Sequence, residues 1–258
     1  MPRSVAQLSE PAARTNFRVT GSKAPFAGRT ALVTGASRGI GRAIAEGLDA
    51  YGAKVALVGR RAETLRKVKA ERAEIVVADL TSDEALRAAA DECLRRLDGL
   101  DVLVHSNGIH LAGALEDATA DDLDRLFAAN VRAPFLLTKL LLPALRESAG
   151  QIVFVNSSTG LEPRPGVGLF SASQHALRAI ADVLRDEVNA HGIRVLNVYP
   201  GRTATRRQKR IFRDEGREYE PDRLLQPEDV ASTVIEALRT PRTAEVTEIR
   251  IRPLLKPK

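Results

Sequence analysis

The sequence predicts a single α/β domain built on a doubly wound, seven-stranded parallel sheet. Two observations predict it. Seven short apolar runs alternate with helical patterns from residue 29 onward. The first of them runs straight into a glycine-rich turn and a helical pattern. Such alternation puts helices on both faces of a parallel sheet, and right-handed crossovers wind it in both directions. A chain of 258 residues suits one such domain.

Residues 1–25 are rich in Pro, Ser, Arg and Ala without periodicity and read as a mobile extension, leaving 26–258 as the domain. The expected strands are Thr30–Thr34, Lys54–Val58, Ile75–Ala78, Val102–His105, Ile152–Asn156, Arg194–Val198 and Val246–Ile251. Helices are expected at 39–51, 61–70, 83–97, 121–148, 169–190 and 227–239. The stretch 202–226 is the longest irregular segment after the N-terminus, and in a compact domain such a loop reads as a lid over a ligand.

Composition narrows the function classes. No run of 18 apolar residues occurs, so no membrane helix is expected, and the N-terminus lacks a signal-peptide pattern. Cys93 is the one cysteine and reads as a core thiol in a reducing, cytoplasmic setting. Four histidines, at 105, 110, 175 and 191, lack metal-ligand spacing. The net charge is +6. Without aromatic interleaving or a nucleic-acid motif, it reads as a solvated basic surface or attraction for an anionic ligand rather than for nucleic acid.

The turn reads Thr34-Gly35-Ala36-Ser37-Arg38-Gly39-Ile40-Gly41. Its glycines allow a tight turn and close backbone approach, and the helix that follows offers free N–H groups and a positive dipole to a diphosphate. With its strand–turn–helix context, it resembles the cofactor fingerprint of the short-chain dehydrogenase/reductase family, a Rossmann fold. The resemblance extends from about residue 28 to 251. It implies cofactor contacts from Gly35, Ser37, Arg38, Gly39, Ile40 and Gly41. Asp79-Leu80 resembles the family's adenine-contacting segment, and Asn130 its structural and catalytic Asn. Tyr199-Pro200-Gly201-Arg202-Thr203-Ala204-Thr205 resembles the P-G-x-x-x-T segment, implying contacts from Pro200, Gly201, Thr203 and Thr205. One departure is His105-Ser106-Asn107-Gly108 where the family has N-N-A-G. Asn107 and Gly108 still line the cofactor ribose on this reading.

The second strand ends Val58-Gly59-Arg60-Arg61. A site for NAD wants a carboxylate here to accept from the ribose 2′-hydroxyl, whereas an arginine fork binds a 2′-phosphate. No Asp or Glu occupies 58–62, and Arg38 sits within the glycine turn. NADP(H) is the expected cofactor.

The catalytic segment is broken. The family uses a serine after the fifth strand, a tyrosine 13 residues later and a lysine four beyond. Here Ser157 holds the serine position, and the segment 13 residues on reads Phe170-Ser171-Ala172-Ser173-Gln174 against the family's Y-x-A-S-K. Positions 170 and 174 share a helix face. Phe170 has no O–H. Gln174 still hydrogen-bonds a ribose hydroxyl, but it carries no charge with which to lower a neighbour's pKa. General acid catalysis is worth roughly 10²–10⁴-fold, so the family's standard carbonyl reduction is expected to be badly impaired. Substitute acids are His105, Tyr199, Tyr219 and His110, for each of which packing or surface polarity is the plainer reading.

In the lid, residues 206–217 carry six of the basic side chains, and a helix there is expected to set Ile211 and Phe212 against a ligand with the arginines outward. These charges fit either an anionic or carrier-tethered substrate or a solvated helix with internal pairs. The resemblance further implies a homodimer or homotetramer through helices 121–148 and 169–190. Three functions stay open: an NADPH-dependent oxidoreductase with an atypical proton source, a non-redox cyclase, isomerase or lyase, and an inactive dinucleotide-binding pseudoenzyme.

Overall fold

The computed structural model describes residues 24–255. The expected extension therefore lies outside the described residues up to residue 23. Residues 24 and 25 already belong to the folded body, because the next residue, Phe26, is buried and its N–H donates to the Tyr51 carbonyl at 3.0 Å.

Seven parallel strands form one sheet in the order β3-β2-β1-β4-β5-β6-β7. They are β1 (Thr30–Thr34), β2 (Lys54–Gly59), β3 (Ala73–Val77), β4 (Val102–His105), β5 (Gln151–Val155), β6 (Arg194–Pro200) and β7 (Glu248–Ile251). The apolar runs are continuous rather than alternating because both sheet faces are covered. On one face, α1 (Gly39–Ala50) and α8 (Pro227–Leu238) bury Ile44, Leu48, Val230 and Val234 with Val33, Val55 and Val104. On the other, α3 (Asp83–Leu97), α5 (Ala133–Glu147) and α6 (Gly168–Val188) bury Leu86, Leu137, Leu141 and Leu177 with Leu32, Leu103 and Phe154.

Two helices differ from expectation. The helix expected over 61–70 is one turn, α2 (Ala62–Leu65), and its pattern is carried only by buried Leu65 and Val68. The helix expected over 121–148 is α4 (Ala120–Phe127) and α5 joined through a π-turn at Ala128–Arg132, which contains Asn130. Such single turns recur at functional sites because the widened ladder re-aims a side chain. The stretch 120–147 has the length and apolar composition of a membrane-crossing helix. Its leucines 126, 137, 141 and 145 are buried in the protein. The lid contains α7 (Arg206–Asp214), and its base is closed by Ala204 donating to the Leu225 carbonyl and Leu225 to the Arg202 carbonyl, at 2.7 and 3.1 Å.

Strand order reverses between β1 and β4, and the crevice beyond their carboxyl ends is where such sheets bind ligands. Thr34, the last residue of β1, pins this crevice. Its Oγ1 donates to the Val104 carbonyl and accepts from the Ser106 and Asn107 N–H groups.

Candidate active site

The turn after β1 is built for close approach. Gly35 has φ +62°, and a Cβ there would stand 2.5 Å from the Ser106 carbonyl oxygen. A Cβ on Gly41 would stand 2.7 Å from the Gly35 carbonyl oxygen. No other residue allows the β1 turn, the start of α1 and the β4 loop to pack this tightly. The N-terminus of α1 consequently opens into the crevice, with Ser37, Arg38, Gly39 and Ile40 around it.

The remaining motif residues surround the same crevice, each at the end of its strand. Arg60 and Arg61 follow β2, and Asp79 and Leu80 follow β3. Asn107 and Gly108 follow β4. Ser157 follows β5, and Pro200 ends β6, with Gly201, Thr203 and Thr205 beyond it. Arg38 and Arg60 are exposed, and among the described residues neither side chain forms a hydrogen bond or ion pair. Arg61 lies 3.6 Å from Glu63. The Asp79 carboxyl is held below the usual carboxylate range by the Thr81 N–H and O–H, at 3.0 and 2.8 Å, with help from the nearby Arg60 charge. The glycine turn and the free arginines fit a dinucleotide carrying a 2′-phosphate: the turn admits a diphosphate close to backbone N–H groups, and both cations are free to pair.

Asn130 ties the crevice together. Its Oδ1 accepts from the Ile109 N–H at 2.8 Å, while its Nδ2 donates to the Ile109 carbonyl and to Ser173 Oγ, both at 3.0 Å. Ser173 in turn donates to the Phe170 carbonyl at 2.7 Å. The β4 loop is thereby fastened to the π-turn and to the first turns of α6. Asn156 fastens the β5 loop in the same way, donating to the Gln174 carbonyl at 3.0 Å and accepting from the Ser157 N–H at 2.7 Å. Ser157 Oγ accepts from the Thr159 N–H and O–H, at 3.3 and 3.0 Å, which leaves its own proton for another acceptor. Phe170 and Gln174 are both buried on α6 beside these groups.

The substitute acids separate cleanly. His105 is in the core, stacked on Phe154 at 4.9 Å and hydrogen-bonded through Nε2 to Thr138 Oγ1 at 2.7 Å. Burial lowers its pKa to about 3. It ends β4 with its side chain under the α5 layer rather than in the crevice, which corrects its candidacy. Tyr199 is 1% exposed on the α6 side of β6, where burial first, then the charges of Glu248 and Asp182, push its phenol well above the usual tyrosine value. It is a packing residue. Tyr219 packs edge-on against Phe212 at 5.7 Å, which makes it part of the lid's own packing. His110 is different: its ring lies 4.7 Å from the Phe170 ring. Burial first, then Arg207 and Arg210, lower its pKa to about 4, so at neutral pH it is an uncharged imidazole with one N–H to donate.

The lid is turned over relative to expectation. Phe212 is 1% exposed, and the Arg202 and Arg217 guanidiniums stack on its ring at 4.8 and 5.0 Å. Both guanidiniums bind Glu215, at 2.8 and 3.2 Å. Phe212 thus anchors the lid to itself instead of meeting a ligand. Arg207, expected outward, reaches across to the Gly108 carbonyl. The sequence places Thr34 in the glycine turn, Ser173 in the α6 segment and Arg207 in the lid, but gives Asn156 no site role; the bonds all four make depend on loops that meet only in space.

Known proteins carry the same framework. The short chain dehydrogenase family matches residues 29–216. An uncharacterized oxidoreductase of Staphylococcus epidermidis is 30% identical over 234 residues, covering 88% of this chain and 97% of the relative. A short chain dehydrogenase from Burkholderia cenocepacia, solved in complex with NADP, superposes with a TM-score of 0.78 at 33% identity, covering 88% of this chain and 97% of that one. A metagenomic short-chain oxidoreductase in complex with NADP gives 0.77 at 31% identity, over 90% of this chain and all (100%) of the other.

Proposed function

This chain belongs to the short-chain dehydrogenase family, and on that premise we propose that it is an NADPH-dependent oxidoreductase acting on a small or carrier-bound organic carbonyl compound, with a proton source other than the family's tyrosine. One observation carries the cofactor choice: Arg60 follows β2 and Arg38 stands in the glycine turn, both exposed and without an ion pair among the described residues, and residues 58–62 include no carboxylate. A 2′-phosphate pairs with both; a bare 2′-hydroxyl gains nothing from them. The relatives solved with NADP support the same choice.

When bound, NADPH supplies the hydride. The chain's own residues bind, orient and donate. The α1 N-terminus and the glycine turn hold the diphosphate, and Asp79 takes the adenine edge. The Gln174 amide bonds a nicotinamide-ribose hydroxyl in the lysine's place. Ser157, its oxygen already accepting from Thr159, donates its proton toward the substrate carbonyl oxygen. His110 adds an uncharged N–H beside Phe170, and water delivers the proton that the missing phenol would have given. Loss of the phenol predicts slow turnover. A second reading, a non-redox catalyst or a dinucleotide-binding protein without turnover, draws support from the buried, oxygen-free ring of Phe170. The proposed assembly is a homodimer or homotetramer through α5 and α6, whose outer faces expose Phe135 and Val183.

Titration with NADPH and NADH tests the reading. The chain has no tryptophan, so the nucleotide's own fluorescence is the signal. NADPH is expected to bind at least tenfold tighter than NADH. Failure of both to bind overturns the proposal. Substrate conversion without net NADPH oxidation selects the second reading.

A further inference from the structure

The loop after β5 carries two hydroxyl groups in contact. Thr159 Oγ1 donates to Ser157 Oγ at 3.0 Å, and the Thr159 N–H donates to the same oxygen at 3.3 Å. A serine oxygen has two lone pairs and one proton. Thr159 takes both lone pairs, and among the described residues no protein acceptor takes the Ser157 proton. Donation therefore runs one way, from Thr159 to Ser157 and outward from the loop. Both residues are half-buried and reached by solvent, whereas Phe170 is 7% exposed.

Neighbouring bonds fix this geometry. The Ser157 N–H donates to Asn156 Oδ1 at 2.7 Å, and Asn156 Nδ2 donates to the Gln174 carbonyl at 3.0 Å. The Gly160 N–H closes the turn on the Ser157 carbonyl at 2.9 Å. A Cβ on Gly160 would stand 2.5 Å from Asn156 Oδ1, so only glycine lets the turn close here. The loop with Ser157 and Thr159 is thus fastened to α6 at Gln174, on the helix whose Phe170 has no proton to give. Fixed donors aimed at one oxygen also stabilise the charge that builds on it as its proton leaves. The Thr159 N–H and O–H both do this for Ser157 Oγ.

We propose that Thr159 is a positioning residue for proton delivery: it passes a solvent proton to Ser157, and Ser157 passes its own to the substrate oxygen in place of the absent phenol. The proposal deepens the oxidoreductase reading above and rests on it. The carbonyl carbon takes hydride from NADPH, so the carbonyl compound is reduced and NADPH is oxidised to NADP⁺. The substrate oxygen gains the Ser157 proton as the Ser157 O–H bond breaks. The Ser157 oxygen gains the Thr159 proton, and the Thr159 oxygen gains one from water. The hydroxide left over passes to solvent. Both hydroxyls are restored, and water is the final proton source. Ser157 is the catalytic residue of the pair, and Thr159 acts through it.

Single-turnover NADPH oxidation by the full chain, with a panel of ketones and aldehydes, tests this. Thr159→Val keeps the side-chain shape and the N–H and removes only the hydroxyl. It is expected to slow the native chain about tenfold or more, and Thr159→Ser to restore the rate to within about threefold. In the Phe170→Tyr, Gln174→Lys double variant, where a phenol gives the proton, Thr159→Val is expected to cost about threefold at most. An unchanged rate for Thr159→Val in the native chain overturns the proposal. So does an equal loss in both backgrounds, or a Thr159→Ser variant as slow as Thr159→Val, since either would leave Thr159 a packing role alone. The pairing is read separately on the unliganded chain by NMR. Amide exchange at Thr159 should quicken in Ser157→Ala, and unaltered exchange overturns the pairing. A native chain that passes this exchange test and binds NADPH, yet reduces no carbonyl compound, overturns the oxidoreductase reading and takes the relay with it.

Discussion

Replacing Asn130 by alanine removes three hydrogen bonds from a side chain that is 2% exposed. A net contribution of about 1 kcal/mol for each such bond gives a loss of about 3 kcal/mol. Two of the three bonds leave the Ile109 N–H and carbonyl without their partner, so the estimate stands at the upper half of its range. For a domain of this size each kcal/mol lowers the melting temperature by roughly 2–4 °C, giving a drop of roughly 6–12 °C. The effect should be local as well as global: Ile109 adjoins Gly108, so the β4 loop loosens and NADPH affinity falls. Thermal unfolding followed by circular dichroism, with and without NADPH, reads both. A melting temperature within 2 °C of the native value would refute the reasoning, because the π-turn would then not hold the β4 loop through this side chain.

Gly35→Ala forces a left-handed φ on a residue with a Cβ and drives that Cβ into the Ser106 carbonyl. It should cost at least about 2 kcal/mol and weaken NADPH more than tenfold; an unaltered NADPH titration would contradict the cradle. His105 is held neutral, with its pKa lowered from 6.5 to about 3. The unfolded chain therefore takes up the proton first, and the stability His105 contributes is complete above pH 6.5 and lost as pH falls toward 3. About 2 kcal/mol of it is gone at pH 5. His105→Gln should make the decline in melting temperature between pH 7.5 and pH 5 shallower by one proton's worth, and parallel slopes would speak against a buried neutral imidazole. Cys93 is 1% exposed, and burial pushes its thiol up to about 12. It should stay unlabelled by a thiol reagent at pH 8 until denaturant is added, and fast labelling of native protein would rule out its core placement.

Much of this architecture is legible in one dimension because the signals are local. β1 and β4 fall where the apolar runs put them, and the glycine turn carries its own geometry. The helix over 61–70 failed because its last residues carry helical spacing without packing: only Leu65 and Val68 find the core. The π-turn at 128–132 was not visible because a widened turn leaves the apolar spacing of 121–148 almost unchanged. The rule that cations face water puts the lid's arginines outward. In the fold, Phe212 is taken up by Arg202, Arg217 and Tyr219, and Arg207 is left facing the crevice. His105 and His110 were equivalent as candidates in sequence. Strand pleat sends the first beneath α5, whereas the loop after Gly108 carries the second to Phe170.

The central claim is a cofactor crevice whose proton donor and pKa-lowering partner are absent while Asn130, Ser157 and the surrounding hydrogen bonds remain. It is tested most directly by NADPH oxidation, measured against a panel of ketones and aldehydes, in the double variant Phe170→Tyr with Gln174→Lys beside the native chain. The account predicts a gain of roughly 10²–10⁴-fold on at least one carbonyl substrate. A double variant that binds NADPH as the native chain does, folds as stably and still shows no gain would contradict it.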